Sequence, residues 1–228
     1  MFDVYLIADA GTIGIDGLPD AVERALGGTS WTGRVALQLR AKEQAPNDVR
    51  RLALALYDLT RPRGVPLLLN TRPDLAREVG AEGVHLPERG PTVAEARALL
   101  GPGALVGVSR HDAAGLARAQ AEGASFATLS PVFATPDKGI PLGVDGFGAL
   151  VARTTASLPV YALGGVRQES VVELVRAGAR GVAVIREVLA APDPFARLAA
   201  LCSAVASARS EKLDTARREG GRLDPKAP

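Results

Sequence analysis

His85 and His111 are the two histidines of the 228-residue chain, and both stand at the ends of apolar runs, in GVHLP and VGVSRHD. An imidazole with its ordinary pKa near 6.5 takes up and returns a proton at neutral pH, so either could act as acid and base. Each also has a quieter reading: His111 as a solvent-facing residue where a helix begins, His85 as a hydrogen-bonding support beneath a pocket. A second group lies in VALQLRAK, where Gln38 and Arg40 are separated by Leu39 and Lys42 follows. Side chains alternate across a strand, so Gln38 and Arg40 share a face. With Lys42 they suit an anion, which a guanidinium grips through two parallel hydrogen bonds. Arg40 could instead pair with an acid on the rim. A third group is Gly164-Gly165 in LGGVRQES, with Ile185-Arg186 after the next apolar run. Paired glycines let the backbone approach a ligand closely, which suits phosphate. Asn70, Ser109, Thr135 and Lys138 are further polar residues that close or follow apolar runs.

The elements that must position these groups are legible as a repeat. Eight short Val/Ile/Leu-rich runs recur: VYLIAD, VALQLR, VPLLLN, GVHL, LVGVS, FATLS, LPVYAL and GVAVI. Most are continuous in apolar residues rather than alternating, as expected of parallel strands covered on both faces. Segments with helical spacing separate them, several opening on Asp, Asn or Thr and closing on Gly, the start and stop signals of helices. Asp48, Asp74, Glu95 and Glu169 sit in first turns, where the helix dipole favours a carboxylate. Eight strand–helix units predict an α/β chain folded as a single (β/α)8 TIM barrel, with the polar strand ends gathered at one mouth. An open doubly wound sheet is the alternative, but DAGTIGIDG after the first run does not supply its G-x-G-x-x-G fingerprint. The barrel is expected over residues 1–209. The charged, Gly- and Pro-containing segment 210–228 is expected to be frayed helix and then disorder.

Composition narrows the partners. The net charge of +2, with 27 Lys+Arg dispersed along the chain against 25 Asp+Glu, and the 4% aromatic content argue against a nucleic-acid surface. No apolar stretch approaches the length of a membrane span and no signal-peptide pattern opens the chain, so a cytoplasmic protein is expected. The single Cys202 cannot close an internal disulfide and reads as a buried helix residue in LAALCSAVA. Nothing in the sequence fixes an oligomeric state, and a homo-oligomer is compatible with it.

The ordered series VYLIAD, LQLRAK, LLLN, GAEGVHLP, GVSRH, LSPVFATPDKG, PVYALGGV and AGARGVAVI, from Val4 to Leu189, resembles the superfamily of thiamine phosphate synthases and TenI-type thiazole tautomerases. The resemblance implies the barrel, and a phosphorylated thiazole as the small-molecule partner. In the synthases a pyrimidine diphosphate loses pyrophosphate and is captured by the thiazole nitrogen. On that likeness Gln38, Arg40, Lys42, Asn70, Ser109 and Lys138 would line the pyrimidine–pyrophosphate side, and Thr135, Gly165 and Ile185-Arg186 would hold the thiazole phosphate. The synthases also bind Mg2+ on two aspartates. Here those places hold Thr71 and Gly90, with Glu88 the nearby acid that could substitute. HLPERG and VIRE look more like the tautomerase branch, which isomerises a dihydrothiazole carboxylate phosphate to its aromatic form without metal. The branch uses a histidine at the place of His111. The leading expectation is therefore a cofactor-free tautomerase, with His111 as proton shuttle and phosphate held by Gly164, Gly165 and Arg186. The alternatives are a synthase requiring Mg2+, or a non-catalytic thiazole or thiamine phosphate binder.

Overall fold

In the computed structural model, which describes residues 1–136, 138–154 and 158–220, each apolar run is a strand and all eight are parallel. The chain runs β1 (Val4–Asp9), α1 (Ala10–Ile13), α2 (Leu18–Leu26), β2 (Val35–Arg40), α3 (Pro46–Thr60), β3 (Leu67–Asn70), α4 (Pro73–Val79) and β4 (Gly83–Leu86). It continues through α5 (Val93–Leu100), β5 (Leu105–Arg110), α6 (Ala113–Ala121), β6 (Phe126–Leu129), α7 (Gly143–Val151), β7 (Val160–Leu163), α8 (Val171–Arg176), β8 (Gly181–Val184), α9 (Arg186–Leu189) and α10 (Pro194–Gly220). The strands pair in chain order and β8 closes on β1, a single (β/α)8 barrel.

Side-chain caps open α1, α5 and α6. Thr92 caps α5 by accepting from the Glu95 amide while Glu95 reaches back to the Thr92 amide, so two otherwise orphaned donors are satisfied. Asp112 caps α6 through the Gly115 amide at 2.6 Å. Outward strand residues such as Leu37, Leu69, Val84, Val106 and Val182 join the inner helix faces in one apolar layer. The inward residues Phe2, Tyr5, Ile7, Ala36, Leu68, Phe126, Tyr161 and Ala183 form a second, smaller core that plugs the barrel from below. Each large side chain so buried contributes roughly 1.5–3 kcal/mol. Cys202 is buried in α10, and burial pushes its thiol up to about 12, so it is inert at neutral pH.

α10 closes the fold. It runs without a break from Pro194 to Gly220, so Ser210–Gly220 continue the helix where the sequence predicted fraying. Glu211 pairs with Arg176 at 3.1 Å and the Lys212 ammonium donates to the Arg176 carbonyl at 3.3 Å, tying this stretch to α8. Residues 221–228 of the expected tail lie outside the described residues. Below the barrel, buried Asp3 gathers Arg34, Arg180 at 3.8 Å and Arg209 of α10 at 2.8 Å. Asp3→Asn strips the carboxylate from three guanidinium groups at once. Because those arginines stay partly solvated, the expected loss is at the low end for a broken buried pair, about 2–3 kcal/mol. Urea unfolding of wild type and variant at neutral pH measures it.

Candidate active site

Register builds the site. At the carboxyl end of the strands Asp9 lies opposite Arg40, Ile7 opposite Gln38, Asn70 opposite His85, and Ser109 opposite Thr128. Alternation turns Tyr5, Gln38, His85 and Ser109 into the barrel, where they form one hydrogen-bonded chain. The Gln38 amide donates to the Tyr5 hydroxyl at 3.0 Å, Tyr5 lies 3.2 Å from His85 Nδ1, and His85 Nε2 lies 2.9 Å from the Ser109 hydroxyl. An amide nitrogen only donates, so Tyr5 accepts from Gln38 and passes its own proton towards His85 Nδ1. His85 then carries its proton on Nε2 and donates to Ser109. The Ser109 hydroxyl hydrogen is not used within this chain and remains available to donate. Gly107 makes room for this: a Cβ there would stand 2.7 Å from His85 Nδ1 and 2.3 Å from the Phe126 ring.

Burial keeps the chain neutral. It holds the Tyr5 phenol well above its usual range and, with a smaller push from Arg110, drops the His85 imidazole to about 3. The sign for stability follows. Between the unfolded value near 6.5 and about 3, the unfolded chain binds a proton at His85 that the folded chain refuses. Stability is therefore full above the upper value and falls as the pH drops below it. At about 1.4 kcal/mol per unit, His85 removes roughly 2 kcal/mol between pH 7 and pH 5. A His85→Gln variant should show that much less acid sensitivity in urea midpoints over the same interval.

Arg40 takes the rim pairing: its guanidinium binds the Asp9 carboxylate, whose other oxygen accepts from the Gly11 amide at 2.9 Å and caps α1. Sequence reasoning did not single out Tyr5 or Asp9. The signal was their shared parity in VYLIAD, which places both on the inner face. Lys42, in the loop after β2, and Lys138, in the loop after β6, are exposed and have no ion-pair partner among the described residues. Asn70 ends β3 half-buried beside His85.

His111 lies between two acceptors. Its Nδ1 is 2.6 Å from the Ser130 carbonyl, so Nδ1 carries a proton, and its Nε2 faces a Glu88 carboxylate oxygen at 3.8 Å. The other Glu88 oxygen accepts from Arg118 at 3.3 Å. The imidazole side chain is 45% exposed, enough for a ligand to reach it. Ser130 holds the ring and leaves Nε2 on the Glu88 side.

Beyond Ser130 three loops converge. The Val132 and Phe133 amides donate to the Leu163 and Gly164 carbonyls, each at 2.9 Å, joining the β6–α7 loop to Gly164-Gly165. Both glycines have positive φ, +98° and +63°. A Cβ on Gly164 would meet the Pro131 Cα at 2.9 Å, and one on Gly165 would meet the Phe133 Cβ at 2.8 Å. Thr135 is in the same loop, its hydroxyl donating to the Phe133 carbonyl at 3.0 Å. The Gln168 amide donates to Glu187 at 3.2 Å, which ties the third loop, carrying Ile185-Arg186, to the second. Lys138, Thr135, Gly164, Gly165, Ile185 and Arg186 thus follow three adjacent strands, β6 to β8; Gln38, Arg40, Lys42 and Asn70 stand at β2 and β3 across the barrel, and Ser109 and His111 end β5, beside β6. A polar cavity of about 610 Å3 is lined by the β4–α5 loop, Glu88 and Gly90 included, and by Arg110, Arg118 and Glu122, so it adjoins the carboxyl-end loop that holds Glu88 against His111.

No group of three or more His, Cys, Asp or Glu side chains among the described residues is placed to hold a metal ion. No helix among them is long and apolar enough to cross a membrane.

Comparison with known proteins agrees with the barrel fold. A family model described as thiamine monophosphate synthase matches residues 4–188. A thiamine-phosphate synthase of Roseiflexus sp. (strain RS-1) is 39% identical over 212 residues, 92% of this chain and 87% of that protein. One from Chloroflexus aurantiacus is 38% identical over 213 residues, 92% of this chain and 95% of that protein. Among solved structures, a thiamine phosphate pyrophosphorylase from Pyrococcus furiosus superposes with a TM-score of 0.77 at 25% identity, covering 91% of this chain and 96% of that one.

Proposed function

This chain belongs to the thiamine monophosphate synthase family and is an enzyme of thiamine biosynthesis; we propose that it acts as a thiamine-phosphate synthase. The reaction joins a hydroxymethylpyrimidine diphosphate to a thiazole phosphate. The bond from the pyrimidine methylene carbon to the diphosphate oxygen breaks, and pyrophosphate leaves with the electron pair. The thiazole nitrogen supplies the lone pair for the new C–N bond. The observation that carries this reading is the two-sided mouth of a barrel whose relatives, 38–39% identical over nine-tenths of the chain, bear that name.

In this reading the chain's own residues bind and orient. Gln38, Tyr5 and His85 fix Ser109 as a hydrogen-bond donor to the pyrimidine side. Asn70 borders the same side, and Lys42 and Lys138 balance the diphosphate charge. Gly164, Gly165 and Thr135 cradle the thiazole phosphate, with Ile185 and Arg186 beside them. Arg40 acts mainly through its pair with Asp9, which shapes the rim. Preorganised donors of this kind lose no reorganisation energy as charge builds on the leaving group.

The relatives favour this transfer over the isomerisation that HLPERG, VIRE and His111 suggest in the sequence. A second reading as thiazole tautomerase rests on one observation, the exposed His111 Nε2 opposite Glu88 with Nδ1 fixed on Ser130. The test is a pair of reactions on the purified protein. Pyrophosphate and thiamine phosphate from the two-substrate mixture support the synthase. Metal-free aromatisation of the dihydrothiazole carboxylate phosphate, abolished in His111→Ala, supports the tautomerase. Phosphate-ligand binding without either product would make the protein a non-catalytic binder.

A further inference from the structure

We infer that the described residues of this mouth offer no protein-held divalent-metal site, so that any Mg2+ in its reaction arrives already bound to the substrate's phosphates. The inference rests on the synthase reading, because only a diphosphate substrate raises the question of a metal.

Thr71, after Asn70, is the one non-glycine residue with positive φ among those described, at +65°. Its amide donates to the His85 carbonyl at 2.9 Å, so the turn is anchored beside β4. That conformation suits Asp or Asn and disfavours a β-branched residue. The backbone there would accept an aspartate without strain, while the side chain present is a neutral hydroxyl. Gly90, in the loop between β4 and α5, has φ +146° and no side chain. The acid of that loop, Glu88, is engaged by Arg118 on one oxygen and faces His111 with the other. Asp9, the buried acid at the end of β1, is taken up by Arg40 and the Gly11 amide. Mg2+ prefers hard, anionic oxygen ligands in near-octahedral array, and a carboxylate shared with a guanidinium is a poor donor to a second cation. The mouth has exposed cations to spare instead: Lys42, Lys138 and Arg186 have no ion-pair partner among the described residues. They attract a phosphate, or a phosphate–metal complex, and repel a bare divalent ion.

Mn2+, which takes similar oxygen ligands, reports this by electron paramagnetic resonance titration of the full chain, independently of turnover. The expected result is no saturable binding to free wild type below roughly millimolar Mn2+, and tight co-binding of Mn2+ once inorganic pyrophosphate is present. Thr71→Asp, placed in a conformation that welcomes it, should bind Mn2+ at least roughly tenfold more tightly than wild type, and circular dichroism confirms that it folds. Stoichiometric micromolar binding by free wild type would overturn the inference. Its loss in Glu88→Gln or Asp137→Asn would name the carboxylate responsible, Asp137 lying outside the described residues. Failure of the synthase reading looks different: no thiamine phosphate forms, while the Mn2+ titration of the free protein is unaffected.

Discussion

Gly165→Ala should lower kcat/KM for the thiazole phosphate by about 10- to 100-fold, the equivalent of one lost charge-assisted hydrogen bond of about 1.5–3 kcal/mol. Two effects combine. At φ +63° an alanine is strained, and its Cβ would stand 2.8 Å from the Phe133 Cβ and 3.0 Å from the Ala134 carbonyl oxygen. The β6–α7 loop must then shift by a few tenths of an ångström, carrying Thr135 with it and opening the cradle. Stability should fall by about 1–3 kcal/mol from the backbone strain. Gly101→Ala is the matched control, because Gly101 has φ +92° with no atom within 4 Å of its Cβ. That variant should lose stability and keep its KM. If both variants kept KM, phosphate would not sit on Gly164-Gly165.

Lys138→Ala should lower kcat/KM for the pyrimidine diphosphate by about 100-fold or more, the usual result of removing one donor from developing negative charge. Lys138→Arg should recover part of it, because the charge is retained but its shape is not. The difference between wild type and variant should shrink at high salt, since the contribution of an exposed cation is screened. A Lys138→Ala enzyme within threefold of wild type would place the diphosphate elsewhere. Lys42→Ala should act in the same direction from the opposite side of the mouth.

Much of the fold was legible because parallel barrel strands are buried on both faces. VYLIAD, VALQLR and GVAVI therefore read as unbroken apolar runs, and capping residues such as Thr92 and Asp112 marked the helices between them. Parity along β2 correctly put Gln38 and Arg40 on one face. What parity cannot give is the register between strands. Asp9 meets Arg40 because β1 and β2 align at that point, and neither segment alone reveals the pairing. The Tyr5–His85–Ser109 chain was hidden for the same reason, since it crosses three strands widely separated in sequence. The helical course of Ser210–Gly220 was obscured by its charge: Glu211 and Lys212 look like tail residues until Arg176 of α8 is placed beside them. The branch is written less plainly in local motifs than the fold is. HLPERG and His111 pointed to proton transfer, whereas the identity that favours pyrophosphate release is spread thinly over the whole barrel.

The most direct measurement of the central claim is product formation by purified protein given the pyrimidine diphosphate and thiazole phosphate together with Mg2+. Thiamine phosphate and pyrophosphate appearing in equal amounts, and falling together in Lys138→Ala, is the expected result. No pyrophosphate from that mixture, with rapid His111-dependent aromatisation of the dihydrothiazole carboxylate phosphate in a metal-free tube, would contradict it and assign the mouth to proton transfer.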